Sequence, residues 1–240
     1  GEVKLKFAKG PSSKLAKDKL TEHEGYTCEG PSLGPINRAT LMRDPKHLLF
    51  TLSRYKYLSK MLTGKEYICE IGCNEATGTL ILSKEVKHVT AIDYYKTFID
   101  SCKELYDQLD LNISFLHHDA LSGLPNCQYT DDGKYDGVVL MDVLEHIDPK
   151  QEDLLLKKLT ESLNCNGVAI IGIPSIESQK YASPVSKAQH INCKSSEDMK
   201  IFLEKYFGNV FMFGMNDEVL HTGFPRMCQY LIALCVTPEK

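Results

Sequence analysis

Four side chains carry the types that proton transfer needs: Asp142, Glu145, His146 and, some forty residues later, His190. Imidazole titrates close to neutral pH, so a histidine can take the proton of a hydroxyl as that oxygen attacks an electrophile. His146 is the first candidate for such a base, with His190 the second and Glu145 placed to orient His146. The same four residues are a mixed N/O donor set that would suit Mg²⁺ or Mn²⁺. Asp142 is three residues from Glu145 and four from His146, so one helical turn would put all three on one face. The expectation drawn from these residues is a metal-free acid/base pair, with no metal in the resting protein.

A second group has the spacing of a nucleotide-type ligand site. The stretch 65–79, KEYICEIGCNEATGT, is an apolar, β-prone run that ends in Glu70, followed by Gly72 and a loop of small residues. Gly72 allows a turn that a Cβ would obstruct. Gly78 allows close approach of a ligand or a helix. Asn74 stands where a dinucleotide fingerprint needs glycine, and Glu70 would repel a phosphate. The loop Gly72, Cys73, Asn74 therefore suits a cationic adenosine compound better than NAD. Asp93 closes the next β-prone run, 21 residues beyond Gly72. An acid about 20 positions on is the ribose-binding group of nucleotide-binding α/β folds. Tyr94 could stack on the adenine.

These residues need rigid elements to hold them. Asp44-Pro45 reads as an N-cap and first helical residue, and Leu48, Leu52, Tyr55, Leu58 and Leu62 follow at helical spacing to Gly64. Arg54 lies off that stripe, where it could meet a carboxylate of the ligand. Strands are expected in the apolar run that ends in Glu70 and at 88–93, 113–117, 136–141, 168–173, 210–215 and 229–236. Helices are expected at 79–84, 96–105, 149–163 and 197–207. This alternation gives an α/β, doubly wound, Rossmann-like sheet of seven strands. Residues 1–43 read as an N-terminal arm, either solvated or a lid using Tyr26 and the 31–35 loop. Residues 44–240 form the ligand-binding domain. The segment 175–193 reads as a polar, irregular loop of the kind that shapes substrate pockets.

Glu70-Ile71-Gly72-Cys73-Asn74 resembles motif I of the class I S-adenosylmethionine-dependent methyltransferases. The stretch Asp142-Val143-Leu144-Glu145-His146-Ile147 resembles that family's D/E-V-L-E-H-I segment. The resemblance spans about residues 45–236. It implies S-adenosylmethionine as cofactor, an antiparallel edge formed by the last two strands, and adenine contacts from Asp119 and Ala120 after the third strand. It also implies that Asp142 faces the cofactor. The Glu145-His146 pair occurs in ubiquinone-pathway and sugar-modifying O-methyltransferases. With Arg54-Tyr55-Lys56 and His190 it is also similar to small-RNA 2′-O-methyltransferases, whose E-x-x-E-H plus histidine set holds a metal. Here Asp142, one methylene shorter, takes the first place. The implied activity is O-methylation of a small metabolite or a saccharide- or lipid-linked intermediate. The alternative is metal-assisted 2′-O-methylation of an RNA 3′ end.

Composition narrows the partners. The chain has 240 residues, with 42% hydrophobic, 25% charged and a net charge of −4. Arg38, Arg43, Arg54 and Arg226 are the only arginines. No global field attracts duplex nucleic acid or an anionic membrane, so a small-molecule substrate is expected. No apolar run reaches membrane-spanning length. The 9 cysteines have no framework spacing, which suggests reduced thiols and a cytoplasmic location. Oligomeric state is not legible. The competing classes are an NAD-linked dehydrogenase, against which Asn74 argues, and a non-catalytic nucleotide-binding module.

Overall fold

The computed structural model describes residues 33–106 and 109–239. The expected lid contact through Tyr26 lies outside the described residues. Asp44 accepts from the His47 N–H and Pro45 takes the first helical position, so α2 (Pro45–Met61) begins where the sequence places it. It follows a helix the sequence did not suggest, α1 (Pro35–Arg43), which has no buried residue. β1 (Tyr67–Ile71), α3 (Thr77–Leu82), β2 (His88–Asp93), α4 (Lys96–Tyr106) and β3 (Ile113–His117) then alternate. β4 (Tyr135–Met141), α5 (Glu152–Glu161) and β5 (Leu163–Pro174) continue the pattern. The segment expected to be irregular instead holds a 3₁₀ turn (Ile176–Tyr181) and a short helix, α6 (Pro184–Gln189), opened by Ser175 and Ser183. α7 (Ser196–Leu203), β6 (Phe207–Asn216), β7 (Val219–His221) and β8 (Tyr230–Pro238) complete the chain.

The described residues form one eight-stranded sheet in the order β3-β2-β1-β4-β5-β8-β6-β7. β3 through β5 are parallel, and β8, β6 and β7 are antiparallel. The eighth strand, three-residue β7, was not expected. It hairpins onto β6 after the Asp217 turn, where φ is +50°.

Burial explains the assembly. β4 is buried along nearly its whole length, as a central parallel strand covered on both faces must be. One core packs Leu155, Leu156, Leu159, Phe202 and Leu203 of α5 and α7 against the sheet. The other packs Tyr55, Leu58, Leu82 and Ile99 of α2, α3 and α4. In register, Ile71 lies beside Ile92 and Leu140, and Leu140 beside Ile171. The carboxyl ends of β1, β2, β4 and β5 therefore share one edge, where open α/β sheets bind ligands.

Candidate active site

The turn after β1 is built as its glycine requires. Gly72 has φ +78°, and a Cβ there would meet Val143 Cγ2 at 2.3 Å. The loop thus touches the turn that follows β4. Asn74 and Ala76 also take positive φ, 50° and 57°. Asp93, 6% exposed, fixes this path. Its Oδ2 accepts the Asn74 N–H at 2.9 Å and its Oδ1 accepts the Tyr95 N–H at 2.8 Å. Asp93 therefore acts as a turn anchor as well as a ribose candidate, and each oxygen keeps a second lone pair.

Glu70 lies beneath the loop. It is 1% exposed, Tyr55 donates to its Oε1 at 2.8 Å, and its Oε2 has no partner. Burial raises its pKa. Cys73 is buried, whereas Tyr94 is exposed. Gly78 serves helix packing, because a Cβ there would meet the Tyr55 ring at 2.3 Å. Glu75, which the sequence did not single out, caps α1. It accepts from the Ile36 and Asn37 N–H groups at 2.7 and 2.8 Å and from Asn37 Nδ2 at 2.8 Å. Asp119 caps the 3₁₀ turn Ala120–Ser122 after β3, accepting from the Leu121 N–H.

The turn after β4 is a 3₁₀ helix, Leu144–His146, entered through Asp142 at φ +54°. Asp142 does not join the residues it was grouped with. It turns to Arg54, whose Nη1 lies 2.9 Å from Oδ2, and the guanidinium stacks 3.6 Å above the Tyr230 ring. Burial lowers the Arg54 pKa and the facing Asp142 charge raises it, with a net rise. Arg54 is thus held by a carboxylate of this chain, and Tyr230, absent from the sequence reading, is the floor beneath it.

Glu145, His146 and His190 do converge. Their potential ligand atoms all lie within 4.8 Å of one another, the one such group that includes these residues among those described. The two imidazole centroids are 5.2 Å apart in an edge arrangement. His146 Nδ1 lies 3.0 Å from the Gln189 carbonyl, so Nδ1 carries the proton and Nε2 keeps a lone pair. His190 Nδ1 lies 3.0 Å from Gln179 Oε1. Gln179 Nε2 donates to the Ser175 carbonyl, which fixes that oxygen toward His190. His190 therefore also presents a bare Nε2. Burial, then the His146 charge, lowers the His190 pKa. Glu145 does not orient His146: it is 1% exposed and both carboxylate oxygens lack a partner. Burial, then the Asp142 charge, raises its pKa well above the carboxylate range. Two lone pairs and an unpartnered carboxylate can serve a hydroxyl proton or hold a divalent cation.

Residues 68–167 match the family model described as a methyltransferase domain. The ubiquinone biosynthesis O-methyltransferase of Rickettsia typhi is 28% identical over 177 residues, covering 74% of this chain and 66% of that protein. The protein of the same name from Coxiella burnetii is 28% identical over 109 residues, 45% of this chain and 44% of its own length. The chain thus spans two thirds or less of these relatives. The N-methyltransferase NodS of Bradyrhizobium japonicum, solved with S-adenosylhomocysteine, shares the fold at TM-score 0.60 and 18% identity, over 86% of this chain and 95% of that one. The methyltransferase domain of bacterial CtHen1 does so at TM-score 0.63 and 15% identity, over 79% and 100%.

Residues 68–167 thus match a methyltransferase domain, on a fold shared with S-adenosylmethionine-dependent methyltransferases. The chain places Gly72 directly against Val143 of the turn that bears Glu145 and His146. The loop after β1 and the turn after β4 therefore pack directly against each other. Among the described residues no helix is long and apolar enough to cross a membrane.

Proposed function

We propose that this methyltransferase methylates a hydroxyl of a small metabolite or of a saccharide- or lipid-linked intermediate. The observation that carries the reading is the pair of imidazoles with Nδ1 tied to carbonyl oxygens and Nε2 bare, beside the cofactor edge of the sheet. The loop Gly72-Cys73-Asn74 and Gly78 shape the donor site, Glu70 and Asp142 give it negative charge, and Arg54 braces Asp142. Asp93 receives the ribose hydroxyls, and Asp119, Ala120 and Tyr94 receive the adenine. The unpartnered, buried Glu70 Oε2 fits a cationic ligand lacking phosphates. S-adenosylmethionine supplies a methyl already activated on a sulfonium. The chain's own task is alignment, worth up to about 7–11 kcal/mol, and removal of the acceptor proton. His146 Nε2 takes that proton. His190, kept neutral by burial, accepts a hydrogen bond from the same hydroxyl or replaces His146 as base.

Relatives named as ubiquinone biosynthesis O-methyltransferases support the small-metabolite acceptor. All eight cysteines among the described residues are free, which supports a reducing compartment such as the cytoplasm. Metal-assisted methylation of an RNA 3′ end is the second reading, and the unpartnered Glu145 carboxylate beside two bare Nε2 atoms favours it. Cell extract incubated with labelled S-adenosylmethionine and the enzyme should yield a labelled small molecule. His146→Ala should abolish the labelling and EDTA should leave it unchanged. Labelling confined to RNA, lost with EDTA and restored by Mn²⁺, would replace this reading with the second.

A further inference from the structure

Asn192 is two residues beyond His190 and nothing in its sequence neighbourhood suggests a role. It is 5% exposed. Its backbone N–H donates to the Glu145 carbonyl at 3.0 Å. Its side-chain Nδ2 donates to Glu152 Oε2 at 2.6 Å and to the Leu144 carbonyl at 3.4 Å, and its Oδ1 accepts from Lys194 Nζ at 3.0 Å. A carboxylate can only accept and an ammonium can only donate, so these partners fix the orientation of the amide. Lys194 closes the set: it pairs with Glu152 at 2.7 Å, both side chains 13% exposed.

The carbonyls of Leu144 and Glu145 belong to the short turn that carries Glu145 and His146; that of Leu144 already accepts the Ile147 N–H at 3.1 Å, while that of Glu145 accepts from Asn192. Asn192 binds both. Its own chain segment carries His190. One residue thus ties the two histidine-bearing segments together, while the half-buried Lys194–Glu152 pair anchors that tie to the first turn of α5. Above it, the rings meet at 5.2 Å and His146 reaches the Gln189 carbonyl. We propose that Asn192 is a positioning residue for methyl transfer, holding His190 at its working distance from His146 and Glu145. The proposal rests on the reading of His146 and His190 as acceptor-side groups.

Two readouts test it. The first is the nuclear Overhauser contact between His146 and His190 ring protons, measured on ring-labelled enzyme with S-adenosylhomocysteine added. Wild type should show the contact. Asn192→Ala should lose it while keeping wild-type affinity for S-adenosylhomocysteine. Asn192→Asp sets a carboxylate against Glu152 and should also lose it. Combining Asn192→Asp with Glu152→Gln should restore it, since the new carboxylate accepts from the new amide and pairs with Lys194. The second readout is kcat on the acceptor found by labelling, which should fall about 100-fold in Asn192→Ala with KM unchanged and recover in the double variant, the loss expected of a misplacement of about 1 Å. A ring contact that persists in both Asn192→Ala and Asn192→Asp would overturn the proposal. So would its loss in the double variant together with both single ones. If His146→Ala and His190→Ala kept full activity, the acceptor-side reading would fail by itself, and the ring contact would still report whether Asn192 sets the geometry.

Discussion

Glu145 combines near-complete burial with two carboxylate oxygens that have no partner, a combination that costs folding free energy. Burial and the Asp142 charge raise its pKa well above the carboxylate range. Between the unfolded-chain value of about 4.3 and that raised value, the folded protein holds a proton that the unfolded chain has released. Stability therefore falls as pH rises through this window, and the penalty is absent below it. Glu145→Gln removes the titration. Urea unfolding should find the variant more stable than wild type at pH 7 by about 1–3 kcal/mol, with the difference vanishing near pH 4. Methyl transfer should persist in the same variant if His146 and His190 alone handle the acceptor proton, and its loss would favour the metal-assisted reading that uses the Glu145 carboxylate. An equal difference at both pH values would show that the carboxylate is not the source.

At the scale of elements, Gly78 illustrates a close approach that sequence could announce but not assign. Its Cβ-less face receives the Tyr55 ring, whose hydroxyl holds Glu70. Gly78→Ala overpacks this contact between α2 and α3 and should cost about 1–3 kcal/mol in thermal or urea unfolding. An unchanged midpoint would mean that the ring slides aside. Strands that end in carboxylates were legible, because an apolar run closed by Asp93 has few alternative placements. The Asp44-Pro45 helix start was legible for the same reason. α1 was not, since it buries none of its residues and depends on Glu75, some 38 residues away, for its cap. α6 and β7 are too short to show a period. At the candidate site, the turn at Gly72 and the convergence of Glu145, His146 and His190 were readable from type and spacing. The Arg54–Asp142 pair spans 88 positions and the Asn192–Glu152 bond 40, and no local pattern encodes such distances.

For the whole molecule, charge and ligand linkage set the expectations. The chain carries a net charge of −4, and one of its four arginines, Arg54, is paired with Asp142. Duplex binding depends on neutralising phosphates and weakens steeply with salt. A gel shift should show no tight, salt-sensitive duplex complex, and one that appeared would reopen the nucleic-acid reading. A ligand that binds only the folded state stabilises all of it, by about 2.7 kcal/mol at a hundred times its Kd. For a domain of this size each kcal/mol raises Tm by about 2–4 °C, so saturating S-adenosylhomocysteine should raise Tm by roughly 5–11 °C. NADH should leave it unchanged, since Asn74 and Glu70 disfavour a pyrophosphate. Asp93→Ala removes the anchor of the Asn74 turn and the proposed acceptor for the ribose, so binding should weaken by about 1–3 kcal/mol and the Tm response should shrink accordingly. A full response in that variant would move the ribose contact away from Asp93, and a response to NADH instead would replace methyl transfer with hydride transfer as the chemistry of this sheet edge.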